Sequence, residues 1–235
     1  MLITLATYNI HAGIGVDGHF DPDRIVRVLQ EMDASVVALQ EVEHHSVDGV
    51  DLLDYLAAKA GFEAIAGSTL LRQSRDYGNA LLTRLPVLAL NRIDLSLSGR
   101  EPRGAIDVVL DWKGQRLQMV ATHLGLMPWE RRRQVQQLLE VFDTHSADVS
   151  LLMGDLNEWF LWGRVLRWLH RHFESTPHFA TFPSRWPLFA LDRLWVKPRT
   201  MLDSMGVHNT PLARIASDHL PLKVTLKTGR HSGQG

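Results

Sequence analysis

Residues that can hold a hard cation or move a proton recur beside short apolar runs along this chain. Asn9 and His11 follow the run 2–8, Gln40 and Glu41 follow 35–39, and His123 follows 117–122. Asp155 and Asn157 come after 149–153, Asp192 just before 194–196, and Asp218 with His219 just before 220–226. Strand ends are where sheet folds gather their sites. Carboxylate and amide oxygens suit Mg²⁺. The chain has no cysteine, so Mg²⁺, with Mn²⁺ as a substitute, is favoured over a structural zinc. A cation neutralising a phosphate, a carboxylate orienting water, and His or Asn stabilising the phosphoryl oxygens are the apparatus of phosphate-ester hydrolysis. Asp155 and Asn157, two apart, point the same way if the segment is extended. Asp218 and His219 are adjacent, so both face one site only from a turn.

The apolar runs read as strands over 2–8, 35–39, 79–83, 87–90, 105–110, 117–122, 149–153, 194–196 and 220–226. Lys113-Gly114 between two of them reads as a hairpin turn. Asp21-Pro22 opens a helix with apolar Ile25, Val28, Leu29 and Met32. Leu52–Ala60, closed by Gly61, and Pro128–Phe142 are two more helices, and 160–172 is a fourth. Hairpins mixed with strand–helix alternation predict an α/β protein with mixed sheets.

With 235 residues, 45% hydrophobic, the chain can bury a sizeable core, and one domain over 1–226 is the simpler organisation. The Gly-, Ser- and Lys/Arg-rich stretch 227–235 reads as a flexible tail. A net charge of -1 disfavours a strong nucleic-acid binder, although a local basic patch would suffice for a nuclease. The start MLITLATYNIHAG lacks the leader of a signal peptide, and no apolar stretch is long enough to span a bilayer. The expectation is a cytoplasmic protein, with peripheral contact at the inner membrane face as an option and no obligate partner.

The segments TYNIHAG, ALQEVE, GNALLTR, ATHLGL, MGDLNEW, LDRLWV and ASDHLPL, in that order, resemble the motif set of the endonuclease/exonuclease/phosphatase superfamily from Thr7 to Leu222. Glu101-Pro102-Arg103-Gly104 and Thr181-Phe182-Pro183-Ser184 are similar to a bacterial subgroup of small stand-alone members. The segment around Asp192 departs from the family pattern, with Leu191 before it and Leu194-Trp195 after. The resemblance implies a four-layer sandwich, two packed mixed sheets flanked by helices. It also implies that Glu41 is the principal Mg²⁺ ligand, with Asn9 and Asp218 near the metal. Asp155 would orient or deprotonate the attacking water, Asn157 and His123 would contact phosphate, and His219 would be a catalytic histidine oriented by Asp192. Arg103, Asn79 and Trp159 are the candidate substrate contacts.

Each residue also has a plainer explanation. Asn9 can cap a turn before Gly13, Asp155 and Asn157 can form an Asx-turn, and Asp192 can pair with Arg193 or Arg103. His11 reads as pocket lining; Glu43, His44 and His45 read as rim residues, and Arg131 to Arg133 as a solvated helix face. The stretch 159–171 mixes aromatics with arginines, and Phe182, Trp186, Leu188 and Phe189 follow. Exposed, that is the composition of a membrane-surface contact. The commoner arrangement packs Trp162, Val165, Leu166 and Leu169 into the core and solvates the arginines. Three substrate classes follow, namely DNA or RNA, a phospholipid, or a small phosphate ester, and the rival of another class is a non-catalytic module that binds a lipid or partner.

Overall fold

The computed structural model describes residues 1–67, 69, 78–142 and 147–228. In chain order the strands and helices begin with β1 (Leu2–Asn9), α1 (Pro22–Met32) and β2 (Val36–Val42). A small ribbon follows, β3 (Ser46–Val47) and β4 (Val50–Asp51), then α2 (Leu52–Ala60), β5 (Glu63–Ala66) and β6 (Gly78–Thr83). Next come β7 (Val87–Asp94), β8 (Gly104–Trp112), β9 (Gln115–His123), α3 (Pro128–Phe142) and β10 (Val149–Asp155). The chain continues through α4 (Arg164–Phe173), β11 (Asp192–Lys197), β12 (Leu202–Val207), α5 (Ala213–Ala216) and β13 (Leu222–Lys227).

Two mixed sheets carry the fold. The first has six strands in the order β12-β13-β1-β2-β6-β5, and the second has five, β11-β10-β9-β8-β7. Among the described residues only β1/β2 and β9/β10 pair in parallel; the other pairs are antiparallel. The period of two along each strand sorts side chains into three apolar layers. Leu5, Val36, Ala38, Leu81, Val108, Met119, Leu151, Met153 and Val224 fill the space between the sheets. Ala6, Tyr8, Val37 and Leu39 face the other way, against Ile25, Leu29 and Leu56 of α1 and α2. Val120, Leu152 and Trp195 meet Val135, Leu138, Leu169 and Phe173 of α3 and α4. The central strands therefore read as unbroken apolar runs, because both of their faces are covered. The result is the four-layer sandwich that the resemblance implied.

Local chemistry explains the element ends. Asp21 accepts from the Arg24 amide at 3.1 Å and Pro22 takes the first turn of α1; Asp51 does the same for α2 through Leu53. Lys113 and Gly114, at φ 53° and 85°, form the tight hairpin between β8 and β9. Three expectations need correction. The fourth helix begins at Arg164, not at 160, because the chain first turns through Leu161-Trp162. The last strand begins at Leu222, since residues 217–221 form the turn that carries Asp218 and His219. Lys227 ends β13, and Thr228 accepts a hydrogen bond from the amino terminus, so the tail does not start at 227; residues 229–235 lie outside the described residues. Strands β5 and β12 were not expected at all. No helix among the described residues is long and apolar enough to cross a membrane.

Candidate active site

The polar residues at the strand ends continue the inward-facing positions of the strands that carry them. Asn9 follows Leu5 by two steps of the pleat, Asn79 precedes Leu81, His123 follows Ala121, Asp155 follows Met153 and Asp192 precedes Leu194. In the second sheet three of them are direct neighbours: Asp155 pairs with His123 on one side and with Asp192 on the other. The first sheet reaches over through Asn9, whose amide nitrogen donates to Asp155 Oδ2 at 3.2 Å and to Glu41 Oε1 at 3.0 Å. The apolar seam between the sheets thus ends in a polar mouth lined from both sides.

Glu41 reaches this mouth because β2 breaks its register. The pairing with β6 shifts between Leu39 and Val42, and Glu41 adopts φ 55°. Such a bulge re-aims a side chain beside a site. Gln40, one residue earlier, stays in the pleat and accepts from Thr7 Oγ1 at 3.1 Å. Burial pushes the Glu41 carboxyl up; the Asn9 hydrogen bond and the His219 charge oppose this, and the Asp218 and Asp155 carboxylates add to it. Glu41, Asp155 and Asp218 thus press like charges together with hard oxygen donors exposed to one another, a set that a divalent cation fits.

His219 lies between two carboxylates. Its Nδ1 donates to Asp192 Oδ2 at 2.8 Å, and its Nε2 is 3.7 Å from Asp155 Oδ2. Burial disfavours its charge, but Asp192, with Asp155 and Asp218, outweighs burial and lifts its pKa to about 10. Asp155, Asp192 and His219 each offer a metal-ligating atom within 4.8 Å of the others. Asp192 Oδ2 is already engaged, however, by His219 and by Thr181 Oγ1 at 2.6 Å, while Oδ1 is buried without a hydrogen-bond partner among the described residues. That geometry suits an oriented imidazolium better than a ligand shell.

His123 is tuned the opposite way. Arg103 Nη1 stands 3.0 Å from His123 Nδ1, and the Asn157 side-chain Nδ2 stands 3.0 Å from its Nε2, so each ring nitrogen meets a donor. Burial, and then the Arg103 charge against the pull of Asp155, lowers its pKa to about 3. The Nε2 edge also faces Asp155 Oδ2 at 3.6 Å. One imidazole is therefore held charged and the other neutral within the same mouth.

Asp155 and Asn157 converge, but not through an extended segment. The strand stops at Asp155, the Asn157 amide donates to Asp155 Oδ1 at 2.8 Å, and Asn157 takes φ 50°. The Asx-turn and the site are thus one feature. Gly154, at φ 144°, makes it possible, since a Cβ there would overlap the Thr122 carbonyl of β9.

The remaining expected residues lie around this centre. Asp218 approaches His11 Nδ1 at 3.9 Å, and His11 also bonds Ile14 O, so His11 lines the rim. Asn79 is buried and donates to Gly104 O at 2.7 Å, tying β6 to β8 across the seam beside His123 and Arg103. Arg103 is buried between His123 and Glu101. Trp159 stands further out, edge-on to Phe182 at 5.9 Å. Glu43 pairs with His45 and His44 with Asp51 at the surface. Arg131 departs from the solvated face expected of it: it is buried, donating to Leu126 O and facing Glu158 at 3.4 Å.

Sequence reading missed the braces. Ser217 Oγ donates to Asn9 O at 2.8 Å and accepts from the His219 amide at 3.2 Å. Thr181 Oγ1 donates to Asp192, the Ser184 amide donates to the Asp218 carbonyl at 2.7 Å, and the Phe182 ring packs on His219 at 4.8 Å. The signal for them was that 181–184, and Ser217 within ASDHLPL, lay in segments similar to the family without any assigned chemistry.

Residues 6–219 match the Endonuclease/Exonuclease/phosphatase family. The chain is 28% identical to the uncharacterized protein YbhP of Escherichia coli (strain K12), with 94% of each chain covered. Among solved structures it is similar to an endonuclease/exonuclease/phosphatase from Bacteroides vulgatus, with TM-score 0.81, 17% identity, and 97% of this chain and 100% of that one covered. It also resembles the mannosyl-6-phosphatase Bt3783 of Bacteroides thetaiotaomicron VPI-5482, with TM-score 0.72, 17% identity, and 96% and 100% covered.

Proposed function

Because the chain belongs to the endonuclease/exonuclease/phosphatase family, we propose that it is a Mg²⁺-dependent hydrolase of phosphate esters, working by in-line attack of water. The observation that carries this is the Asp155 carboxylate, reached by Asn9 from the first sheet and flanked by a charged and a neutral imidazole in the second. Family membership supplies the reaction class, and a neighbour that is a mannosyl-6-phosphatase shows that the fold can serve a small phosphate ester.

Glu41 and Asp218 would hold the cation, with Asn9 fixing the Glu41 carboxylate. When bound, Mg²⁺ would neutralise phosphoryl oxygen charge. Asp155 accepts the proton of the attacking water, and its Oδ1 is kept in place by the Asn157 amide. The His219 imidazolium, held by Asp192, faces the charge that develops on the phosphoryl oxygens. His123 is held neutral beside Asp155, with Arg103 behind its Nδ1.

The test is a panel of nucleic acids, phospholipids and sugar phosphates with and without Mg²⁺, run beside Glu41→Ala. Turnover of at least one class should need Mg²⁺ and fall by about 10–100-fold or more in the variant. Unchanged Mg²⁺-dependent turnover in Glu41→Ala would remove the cation from this site.

A further inference from the structure

A band of aromatic and leucine side chains surrounds the catalytic mouth on one side. It begins at His219, passes to Phe182 at 4.8 Å, to Trp159 at 5.9 Å and to Phe189 at 4.9 Å between ring centres. It ends at side chains that stand in solvent: Trp162 is 70% exposed, Trp186 76% and Leu188 73%, with Phe160 and Leu161 half exposed beside them. Two separate loops, 159–162 and 182–189, therefore bring their apolar tips to one rim. A soluble monomer seldom exposes such a contiguous patch without a use for it.

The core does not claim these side chains. Val165, Leu166, Leu169 and Phe173 of α4 pack inward, while Trp162, just before the helix, does not. The exposed charge of the chain segment that carries the band is also one-sided, since the carboxylates flanking it, Glu158 and Asp192, are buried. From Trp159 to Leu191 the chain has Arg164, Arg167, Arg171 and Arg185 against a single carboxylate, Glu174, in a protein whose net charge is -1. Tryptophan belongs where an apolar body meets a wet boundary, and arginines beside it attract anionic headgroups. A twofold dimer through the same patch would set these arginines against themselves.

We propose that this rim docks on an anionic lipid bilayer and presents the phosphate ester of a lipid headgroup to the catalytic mouth. The docking surface stands on exposure and charge; the lipid as substrate rests on the hydrolase reading above.

The experiment is flotation with vesicles of phosphatidylcholine alone or mixed in equal parts with phosphatidylglycerol, alongside hydrolysis of soluble bis(p-nitrophenyl) phosphate. The protein should float with the mixed vesicles, less so in high salt, and its tryptophan emission should shift to the blue. The combined variant Trp162→Ala, Trp186→Ala, Leu188→Ala should bind at least about tenfold more weakly and cleave the soluble diester as before. Arg164→Glu with Arg185→Glu should weaken binding without touching any buried group. A wild-type protein that stays with the buffer, a triple variant that floats as well as wild type, or a patch found buried in a dimer or against a peptide would each overturn the proposal. Floating without any cleavage of soluble or lipid phosphate would instead remove the hydrolase reading and leave the docking surface intact.

Discussion

At the scale of single residues, the two histidines of the mouth should leave opposite marks on stability. Free histidine titrates near about 6.5. With a folded pKa of about 10, His219 stabilises the metal-free fold fully below pH about 6.5, and that contribution is lost as pH climbs through about 10. His123, with a folded pKa of about 3, acts the other way: the fold prefers it neutral, so stability declines as pH falls from about 6.5 toward 3. Denaturant unfolding of metal-free protein across pH should show His219→Gln flattening the alkaline limb and His123→Gln the acid limb. A matching pair of curves for both variants would mean the two environments are not distinct. Arg103→Ala should lower kcat by about 10–100-fold, as for partners that orient a working group, and shift the acid limb of the kcat profile toward higher pH. Loss of kcat with an unshifted profile would make Arg103 a packing residue. Residue types were legible in the chain; their electrostatics were not. The resemblance implied the Asp192–His219 pair, but that Arg103 faces His123 depends on which side chains meet across a sheet, and spacing along one strand does not encode that.

At the scale of elements, the runs that became central strands were readable because both faces are apolar. Strand β12, LDSMGV, is half exposed at a sheet edge and has no alternation to read. The start of α4 was misplaced for a related reason, since the aromatic run 159–162 looks like a buried helix turn but sits in a loop. The bulge that swings Glu41 was equally hidden, because nothing in LQEVE announces a register shift. Gly154 offers a sharp test of element geometry. Gly154→Ala must push β10 away from the Thr122 carbonyl in a backbone conformation that disfavours a side chain, at a cost of about 1–3 kcal/mol or more. The urea midpoint should fall accordingly, and activity should fall further than stability does, because Asp155 is the next residue. An unchanged midpoint would show that the two strands are less tightly joined there than the structure has them.

At the scale of the whole molecule, cation binding and folding should be linked. If Glu41, Asp155 and Asp218 repel one another in the empty protein, Mg²⁺ at about a hundred times its Kd should raise stability by about 2.7 kcal/mol. Calorimetry with and without Mg²⁺ should show that rise in Tm for wild type and little of it for Glu41→Ala. An equal rise in both would place the cation elsewhere on the surface.

The centre is split between layers. Asn9 and Glu41 ride on one sheet; His123, Asp155 and Asp192 ride on the other, and the apolar filling between them sets how far apart they stand. Turnover is thus a ruler laid across the sandwich. On warming, small slippage of one layer over the other should silence hydrolysis several degrees before circular dichroism records any melting, and enlarging Ala121 to Leu in the filling should widen that gap.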